Sequence, residues 1–376
     1  MDRIPFNKPY FTGLETAYIE EAVRNGKISG DGAYTARSQS WFEERYGFGK
    51  CLLTTSCTDA LEMSAILMGL EPGDEVILPS YTFVSTANAF ALRGAKLVFA
   101  DSLPDHPNID PDSIEHLITH NTKAVVIVHY AGMACDMDRI VELCEKHDLF
   151  LVEDAAQAVD SFYKNKSLGS FGEFATFSFH ETKNIMSGEG GMLVINDPSM
   201  VKRAEIIREK GTNRSAFFRG EVDKYNWVDI GSSFLPSDII AAVLYAQLEH
   251  LDNIQDQRKE HWNNYHKALS PIAETFGFEV PKIPEHATNN AHMYYLVAPS
   301  LEWRDQFIAA LKAEKIQAVF HYLSLEKSPY FKEKHDGRSL PNSDRFTDCL
   351  VRLPLFYELP PETPTRIAEV IKKTFQ

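Results

Sequence analysis

The chain has 376 residues, of which 44% are hydrophobic and 24% are charged, and this balance excludes collagen-like, mucin-like and largely disordered proteins. With 38 basic and 53 acidic side chains the net charge is −15 at pH 7, so nucleic acid is not an expected partner. Five scattered cysteines without a CxxC pair indicate neither a disulfide framework nor a structural metal. The first residues lack an apolar signal segment, and no window approaches ~18 apolar residues, so a cytoplasmic protein without membrane association is expected.

Short β-rich segments alternate with helix-like segments over residues 51–196. The predicted strands are 51–54, 75–79, 95–101, 124–130, 150–155, 174–180 and 191–196. The predicted helices between them are 58–70, 85–92, 114–120 and 137–147. Several strands are continuously apolar, which indicates burial on both faces. The alternation predicts an α/β fold with a mostly parallel sheet and helices on both sides.

The pattern changes after residue 196. A helix is predicted over 199–211, a polar and aromatic functional loop over 212–235, and a long amphipathic helix over 237–268 that breaks or bends near Asp252. A smaller α+β region follows, with strands at 293–299 and 318–323 and helices at 302–314 and 365–375. The sequence therefore predicts a large domain over 1–270 and a small domain over 271–376.

Three segments combine polar chemistry with the end of a strand. In TTSCTDALEM (54–63) a strand meets a helix start, which is either an anion site or a plain N-cap by Ser56 or Thr58. In FLVEDAAQAV (150–159) Asp154 ends a strand and can pair with a cationic ligand atom, form an N-cap or make a surface salt bridge. In FATFSFHETKNIMSGEGG (174–191) Lys183 is either a nucleophilic amine of lowered pKa or a solvated surface charge. An anion site, a carboxylate and an amine at one sheet edge are what pyridoxal 5′-phosphate (PLP) requires.

These segments, together with PSYTFVSTANA (79–89), resemble the DegT/DnrJ/EryC1/StrS sugar aminotransferases, and the similarity extends from IPFNKPYF to RLPLFY (352–357). Members of that family are PLP-dependent transferases of fold type I that act on nucleotide-linked keto-sugars. The resemblance implies that Lys183 is the Schiff-base lysine and the general base and acid, and that Asp154 pairs with the pyridine nitrogen.

The resemblance also implies roles for other side chains. The implied cofactor contacts are Gln157 near the ring hydroxyl, Ser56, Cys57, Thr58 and Ser178 at the phosphate, and Phe83 stacked on the ring. Core packing is the alternative for Phe83. Ser233 stands where many members carry an Asn that reaches the cofactor of a partner subunit, so a homodimer with shared active sites is expected. His321 matches a family histidine near the sugar or the lysine, with an ordinary strand histidine as the alternative.

The basic side chains of the 212–235 loop are candidates for binding the diphosphate of a sugar nucleotide. Arg214, Arg219 and Lys224 lie within eleven residues of an otherwise acidic protein, and arginine binds phosphate with two hydrogen bonds. Solvated surface charges are the alternative. If the loop does not bind the nucleotide, the glycine-containing segment 27–32 is the next candidate.

Residues 211–227 and 229–238 most resemble the branch of the family that makes dTDP-4-amino-4,6-dideoxy-D-galactose. The resemblance therefore implies amino transfer from L-glutamate to C4 of dTDP-4-dehydro-6-deoxy-D-glucose, for lipopolysaccharide, O-antigen or another surface polysaccharide. The alternatives are the gluco-configured product, a sugar 3-aminotransferase, and a non-catalytic PLP-binding regulator. A dehydratase is disfavoured because that branch carries His where this chain has Lys183.

Overall fold

The computed structural model describes residues 3–376. The helices are α1 (Glu15–Arg24), α2 (Ala33–Tyr46), α3 (Cys57–Leu67), α4 (Val84–Ala91), α5 (Pro111–Leu117), α6 (Met137–His147), α7 (Val201–Arg208), α8 (Arg214–Phe218), α9 (Asp238–Leu248), α10 (Leu251–Phe276), α11 (Leu301–Ala313), α12 (Pro341–Cys349) and α13 (Thr363–Phe375). The strands are β1 (Lys50–Thr54), β2 (Glu75–Pro79), β3 (Lys96–Ala100), β4 (Thr122–Val128), β5 (Phe150–Asp154), β6 (Phe162–Tyr163), β7 (Lys166–Ser167), β8 (Phe174–Ser178), β9 (Gly191–Ile195), β10 (Tyr294–Val297), β11 (Val319–Phe320) and β12 (Leu350–Leu353). No helix within this part of the chain is both long and apolar enough to cross a membrane.

The central sheet has seven strands in the order β1-β9-β8-β5-β4-β2-β3. Pairs among β2, β3, β4, β5 and β8 are parallel, whereas β9 runs antiparallel to both neighbours. All seven predicted strand segments lie in this sheet, which confirms the predicted α/β class. Because the parallel strands share one direction, their carboxyl ends meet at one edge, and that edge is where ligands bind in open α/β sheets.

Helices cover both faces of the sheet, as the apolar strands predict. Neighbouring residues of one strand alternate between two hydrophobic clusters: Ile77 and Val125 face the first, and Val76 and Ala124 face the second. Side chains that alternate across a strand and are buried on both sides explain why these strands are apolar throughout.

The N-terminal helices α1 and α2 were not predicted from the sequence. Both pack on α9, and the buried Asp238 carboxylate accepts hydrogen bonds from the backbone N–H (2.8 Å) and hydroxyl (2.8 Å) of Thr35 at the start of α2. Several of the side chains that α2 buries are polar, among them Thr35, Ser38 and Gln39. The buried face of this helix is therefore only partly apolar, so the spacing of hydrophobic residues in the sequence does not indicate a helix.

The predicted long helix over 237–268 is two helices. The first, α9, ends at Leu248 and the second begins at Leu251, so the break lies at 249–250, close to Asp252 as predicted. The second, α10, passes Pro271 and continues to Phe276, where Gly277 ends it with a φ of 72°. The proposed division at residue 270 therefore falls inside a continuous helix.

Beyond α10 the chain forms a second, three-stranded antiparallel sheet in the order β10-β12-β11. Its core combines β10 and β12 with α11, α13 and the second half of α10, from which Trp262, Tyr265 and Leu269 contribute. Sequence analysis predicted β10, α11, β11 and α13 but missed α12 and β12. The 212–235 segment contains the five-residue helix α8 and is otherwise irregular.

A buried carboxylate on β5 holds the loop that precedes β8. Glu153 accepts hydrogen bonds from the backbone N–H groups of Gly169 (2.7 Å), Phe171 (2.7 Å) and Gly172 (3.0 Å), and it lies 3.0 Å from Nε2 of His129. Glu153 and His129 are both fully buried. These four contacts fix the path of the chain between β5 and β8 and thereby the spacing of the two strands that end at the ligand edge.

We expect Glu153→Ala to destabilise the fold, because three backbone N–H groups lose the one acceptor that they have among residues 3–376. At about 1–3 kcal/mol for each unsatisfied group, the free energy of unfolding should fall by at least about 3 kcal/mol. Urea unfolding followed by circular dichroism measures this loss. Glu153→Gln keeps one acceptor oxygen and should lose less, and Glu142→Ala on the exposed face of α6 is the control. A Glu153→Ala protein as stable as the wild type would contradict the assignment.

Candidate active site

A cavity of ≈ 590 Å³ opens at the carboxyl edge of the central sheet. Nine of the thirteen residues predicted for the site line it: Ser56, Cys57, Thr58, Phe83, Asp154, Gln157, Ser178, Lys183 and His321. They come from the start of α3, the start of α4, the ends of β5 and β8, and the chain after β11. The sheet thus brings together side chains that lie more than 260 positions apart in the sequence.

The start of α3 is capped by a side chain, and it also has backbone N–H groups that are free to bind a ligand. The Ser56 hydroxyl accepts a hydrogen bond from the backbone N–H of Asp59 (3.1 Å) and is the N-cap. The N–H groups of Cys57 and Thr58 have no hydrogen-bond partner within residues 3–376. Because the positive end of the helix dipole adds to these free donors, this end of the cavity is suited to an anion.

Asp154 is buried at the end of β5, and the structure shows no ion pair for it within the described residues, which excludes a surface salt bridge. Its carboxylate accepts hydrogen bonds from the Thr86 hydroxyl (2.7 Å) and from the backbone N–H of Ala156 (3.2 Å). Burial raises the pKa of Asp154 above its usual range, while these hydrogen bonds and the charge of Lys183 oppose the rise. A buried carboxylate of this kind favours a cationic partner in the cavity.

Lys183 lies in a compact turn after β8. The backbone N–H of Phe179 bonds to the carbonyl of Gly190 (2.9 Å), and that of Lys183 bonds to the carbonyl of His180 (2.9 Å). Burial lowers the pKa of Lys183 below its ordinary value of 10.5, and the charge of Asp154 opposes this shift. Lys183 is therefore a cavity amine with a lowered pKa and not a solvated surface charge.

Gln157 and His321 belong to a hydrogen-bonded wall with two tyrosines. The Gln157 amide donates to the Tyr322 hydroxyl (3.0 Å) and accepts from the backbone N–H of Ala131 (2.7 Å). Nδ1 of His321 lies 2.9 Å from the Tyr130 hydroxyl, and burial holds the pKa of His321 well below its usual range.

Phe83 lies at the opening of the cavity. Its side chain is 55% exposed, and its ring lies 6.1 Å from that of Tyr322. The alternative of a core residue is therefore wrong for Phe83, and its exposed face is available to a flat ligand.

The other four predicted residues do not line this cavity within one chain. Ser233 pairs with the backbone of Glu209. Arg219 makes ion pairs with Glu205 (2.9 Å) and Glu221 (2.7 Å), and Lys224 is exposed.

Arg214 lines a second cavity of ≈ 300 Å³, where it pairs with Glu209 (2.7 Å). That cavity is also lined by Lys27, Ser29, Gly30 and Asp31, so the two segments considered for nucleotide binding meet there.

Sequence reasoning missed four side chains that complete the cavity or orient its residues: Thr86, His292, Tyr322 and Arg352. Thr86 and Arg352 lie inside the motifs that carried the resemblance, but nothing in those motifs marked them. Tyr322 has a φ of 28°, a strained conformation for a bulky residue that is typical of functional sites and invisible in a sequence.

The chemical groups that line the cavity match those that PLP requires. Free backbone N–H groups of Cys57 and Thr58 and the nearby Ser178 hydroxyl are suited to the phosphate, the Asp154 carboxylate to a protonated ring nitrogen, and the Lys183 amine to the aldehyde carbon. Each group lies on a different element, and all line the same cavity.

The sequence profile of the DegT/DnrJ/EryC1/StrS aminotransferase family matches residues 10–372. The spore coat polysaccharide biosynthesis protein SpsC of Bacillus subtilis (strain 168) is 31% identical over 378 aligned positions, which cover 98% of this chain and 96% of SpsC. Spr1654 of Streptococcus pneumoniae in its PLP form is 26% identical with a TM-score of 0.91 and covers 100% of both chains. Helicobacter pylori PseC, an aminotransferase involved in the biosynthesis of pseudoaminic acid, is 26% identical with a TM-score of 0.91 over 100% of this chain and 99% of PseC.

We expect Lys183 in the cofactor-free protein to lose its proton at a pH below 10.5, because burial disfavours the ammonium form. Peptide mass spectrometry can follow the rate at which a small amine-selective reagent modifies Lys183 across a range of pH. The midpoint of this pH dependence gives the pKa of Lys183, and the exposed Lys372 is the control. Asp154→Asn removes a negative charge that stabilises the ammonium, so it should lower the midpoint further. A midpoint at or above 10.5, or an upward shift in the Asp154→Asn variant, would contradict this electrostatic assignment.

Proposed function

The chain belongs to the DegT/DnrJ/EryC1/StrS aminotransferase family, and we propose that it transfers an amino group from L-glutamate to a keto-sugar carried on a nucleotide. Family membership confirms the expected enzyme class, an aminotransferase that depends on PLP, together with the expected fold. The identity of the sugar, the nucleotide and the amino donor is our proposal.

The favoured acceptor is dTDP-4-dehydro-6-deoxy-D-glucose, aminated at C4 to give the galacto-configured product. Support comes from residues 211–227 and 229–238, which resemble the branch of the family with that product. The relatives SpsC and PseC, named for spore coat polysaccharide and pseudoaminic acid biosynthesis, favour a role in making a surface glycan.

The observation that carries the proposal is that Lys183, Asp154 and a free helix start line one cavity. PLP, when bound, serves as the electron sink for the carbanion that an amino acid forms on losing its α-proton, and it carries the amino group between the two substrates. Asp154 would hold the proton on the ring nitrogen, and the helix start would hold the phosphate. The Lys183 amine takes the α-proton of the donor and returns a proton to C4 of the sugar, and the face from which it does so decides the configuration of the product.

The nucleotide is proposed to bind outside the cavity, at a second site built by a homodimer. Arg214 and Lys27 line the second cavity from two separate segments. Two neighbouring cations attract a phosphate group even on an acidic protein. Ser233 lies next to this cavity, because its backbone pairs with that of Glu209, which lines the cavity. In the proposed homodimer this region of one subunit faces the main cavity of its partner.

A panel of sugar nucleotides tests the proposed reaction. L-glutamate should bleach the visible absorption band of the holoenzyme, and the correct keto-sugar nucleotide should restore it, with dTDP-4-dehydro-6-deoxy-D-glucose the most efficient. Lys183→Ala should fold normally and lose transamination, because Lys183 supplies the one side-chain amine among the described residues that line the cavity. Full activity in that variant, or restoration by an amino-acid-derived keto acid but by no sugar nucleotide, would contradict the proposal.

We expect Arg214→Ala to weaken binding of the sugar nucleotide and Arg219→Ala to leave it nearly unchanged. Arg214 lines the second cavity and has one carboxylate partner, Glu209, whereas Arg219 lines neither cavity and its charge is paired with two carboxylates. Loss of a charge-assisted hydrogen bond costs about 1.5–3 kcal/mol, so KM for the sugar nucleotide should rise about tenfold to a hundredfold, with no change for glutamate. Equal effects of the two substitutions, or an effect on both substrates, would exclude a nucleotide site at the second cavity.

A further inference from the structure

The tautomer of His292 is fixed by its hydrogen bond to Asn184. Nδ1 of His292 lies 2.8 Å from Oδ1 of Asn184. The amide nitrogen of Asn184 donates to the backbone carbonyl of Asn290 (2.8 Å) and to Oε1 of Gln255 (2.8 Å). A backbone carbonyl can only accept, so the amide nitrogen faces Asn290 and the amide oxygen faces His292. Nδ1 of His292 must therefore carry the hydrogen.

The other ring nitrogen of His292 is consequently an acceptor. Burial holds the pKa of His292 well below its usual range, and neighbouring cationic groups lower it further, so the ring is neutral near pH 7. In a neutral imidazole one nitrogen donates and the other carries a lone pair. Nε2 has no hydrogen-bond partner in the part of the chain that the structure describes. The groups whose charge acts on this ring are Lys183, Arg352, Arg258 and His321.

His292 and Lys183 line the same two spaces in the molecule. Both line the main cavity, and both line a smaller void of ≈ 10 Å³ together with Asn184 and Gln157. Among the charged groups that act on His292, Lys183 acts most strongly. The Lys183 amine makes no hydrogen bond within residues 3–376. A donor without an acceptor and an acceptor without a donor therefore face the same space.

Other polar side chains of the cavity are less suited to accept a hydrogen bond from Lys183. Both oxygens of the Asp154 carboxylate already accept hydrogen bonds, and so does the amide oxygen of Gln157. Nδ1 of His321 bonds to a tyrosine hydroxyl, which can donate or accept, so this bond does not fix its tautomer. His292 differs because its tautomer leaves Nε2 only the role of acceptor.

We propose that Nε2 of His292 accepts a hydrogen bond from the Lys183 amine and thereby orients the lone pair of that amine towards the substrate. The inference rests on the role proposed above for Lys183, and it makes His292 a positioning residue that acts through the lysine. A lysine amine is a rotatable group on a flexible stem, so a fixed acceptor restricts the direction of its lone pair. A misplacement of about 1 Å in such a group can reduce the rate about a hundredfold.

His292 is not suited to hold the transferred proton itself. A general base works best with a pKa near the operating pH, whereas burial keeps the pKa of His292 well below its usual range. When Lys183 takes a proton it becomes an ammonium, and the neutral Nε2 can accept a charge-assisted hydrogen bond from it. The bond therefore supports the lysine before and after the proton moves.

Two substitutions separate the roles of the two ring nitrogens. The amide nitrogen of Asn can take the place of Nδ1, so His292→Asn keeps the contact with Asn184 and removes the acceptor. The amide oxygen of Gln can take the place of Nε2, so His292→Gln keeps an acceptor and loses that contact. His266→Asn is the matched control, because His266 lies outside the cavity and its Nδ1 also contacts a side chain, the Tyr294 hydroxyl at 3.3 Å.

His292→Asn should change both the charge state and the rate of Lys183. In the cofactor-free protein the midpoint at which Lys183 loses its proton should fall by about one to two pH units, because the ammonium loses a charge-assisted hydrogen bond. In the holoenzyme the rate at which saturating L-glutamate bleaches the visible band should fall about tenfold to a hundredfold, while the half-saturating concentration stays unchanged. His292→Gln should remain close to wild type in these readings but melt at a lower temperature, and His266→Asn should match the wild type in the midpoint and the rate.

Nitrogen-15 NMR of histidine-labelled, cofactor-free protein tests the contact without a change in His292. Nδ1 should carry a hydrogen and Nε2 should not. Lys183→Ala should shift the Nε2 resonance, because that nitrogen loses its donor, and should leave the Nδ1 resonance in place. The ring is assigned by the loss of its signals in either His292 variant. If His292→Asn does not fold, this measurement decides the question together with His292→Gln.

Several results would overturn the inference. One is a His292→Asn protein in which the Lys183 midpoint and the bleaching rate are those of the wild type. Another is an equal loss in His292→Gln, since an acceptor in the place of Nε2 would then make no difference. A hydrogen on Nε2, or an Nε2 resonance that does not respond to Lys183→Ala, would also exclude the contact.

The inference and the proposed function can fail separately. If Lys183→Ala keeps full transamination, the proposed role of the lysine is wrong, whereas the NMR measurement still shows whether the two side chains are in contact. If Lys183→Ala is inactive while His292→Asn bleaches as fast as the wild type, the role of Lys183 stands and the positioning role of His292 is wrong.

Discussion

Asn290 joins the loop after β5, which contributes Gln157 to the cavity, to the segment before β10, which contributes His292. Its side-chain amide donates hydrogen bonds to the carbonyls of Gln157 and Val159, each at 2.8 Å, and accepts one from the backbone N–H of His292 at 3.0 Å. His292 in turn lies 2.8 Å from the amide oxygen of Asn184, the residue next to Lys183. All these groups are buried, so breaking any one bond leaves a polar atom without water. The network holds the turn after β8 and the loop after β5 against the second sheet, and the geometry of the cavity depends on it.

The lining of the cavity contains basic side chains. Lys183 and Arg352 both line it, and Asp154 is the carboxylate whose charge acts on Lys183 among the described residues. Burial holds the pKa values of His292 and His321 well below their usual range, so neither histidine adds charge near neutral pH. A protein with net charge −15 thus encloses a site suited to anions, and low local polarisability strengthens each of those contacts.

The sequence predicted the parts of the site that follow from local patterns. Apolar strands bounded by turns located the sheet, and Asp154 and Lys183 could be placed at its ligand edge because Asp154 lies at the end of one predicted strand and Lys183 follows shortly after another. Asn290 could not be found in this way, since it donates to the carbonyls of Gln157 and Val159, which lie more than a hundred positions away, and it lies in no pattern with helical or strand period. The sequence did not predict α2 for a related reason. A buried polar contact with Asp238 anchors this helix, and it has no clear apolar stripe.

Tyr322 shows how the strained part of the site is maintained. A φ of 28° is unfavourable for an aromatic residue, and strain of this kind costs on the order of 1–3 kcal/mol. The hydroxyl of Tyr322 accepts the Gln157 amide at 3.0 Å, and its ring packs edge-on against that of Tyr81 at 5.8 Å. Tyr81 itself is fixed by a hydrogen bond from its hydroxyl to the backbone carbonyl of His321. Contacts on both sides of the peptide therefore offset the strain, and they hold His321 and Tyr322 in the lining of the cavity.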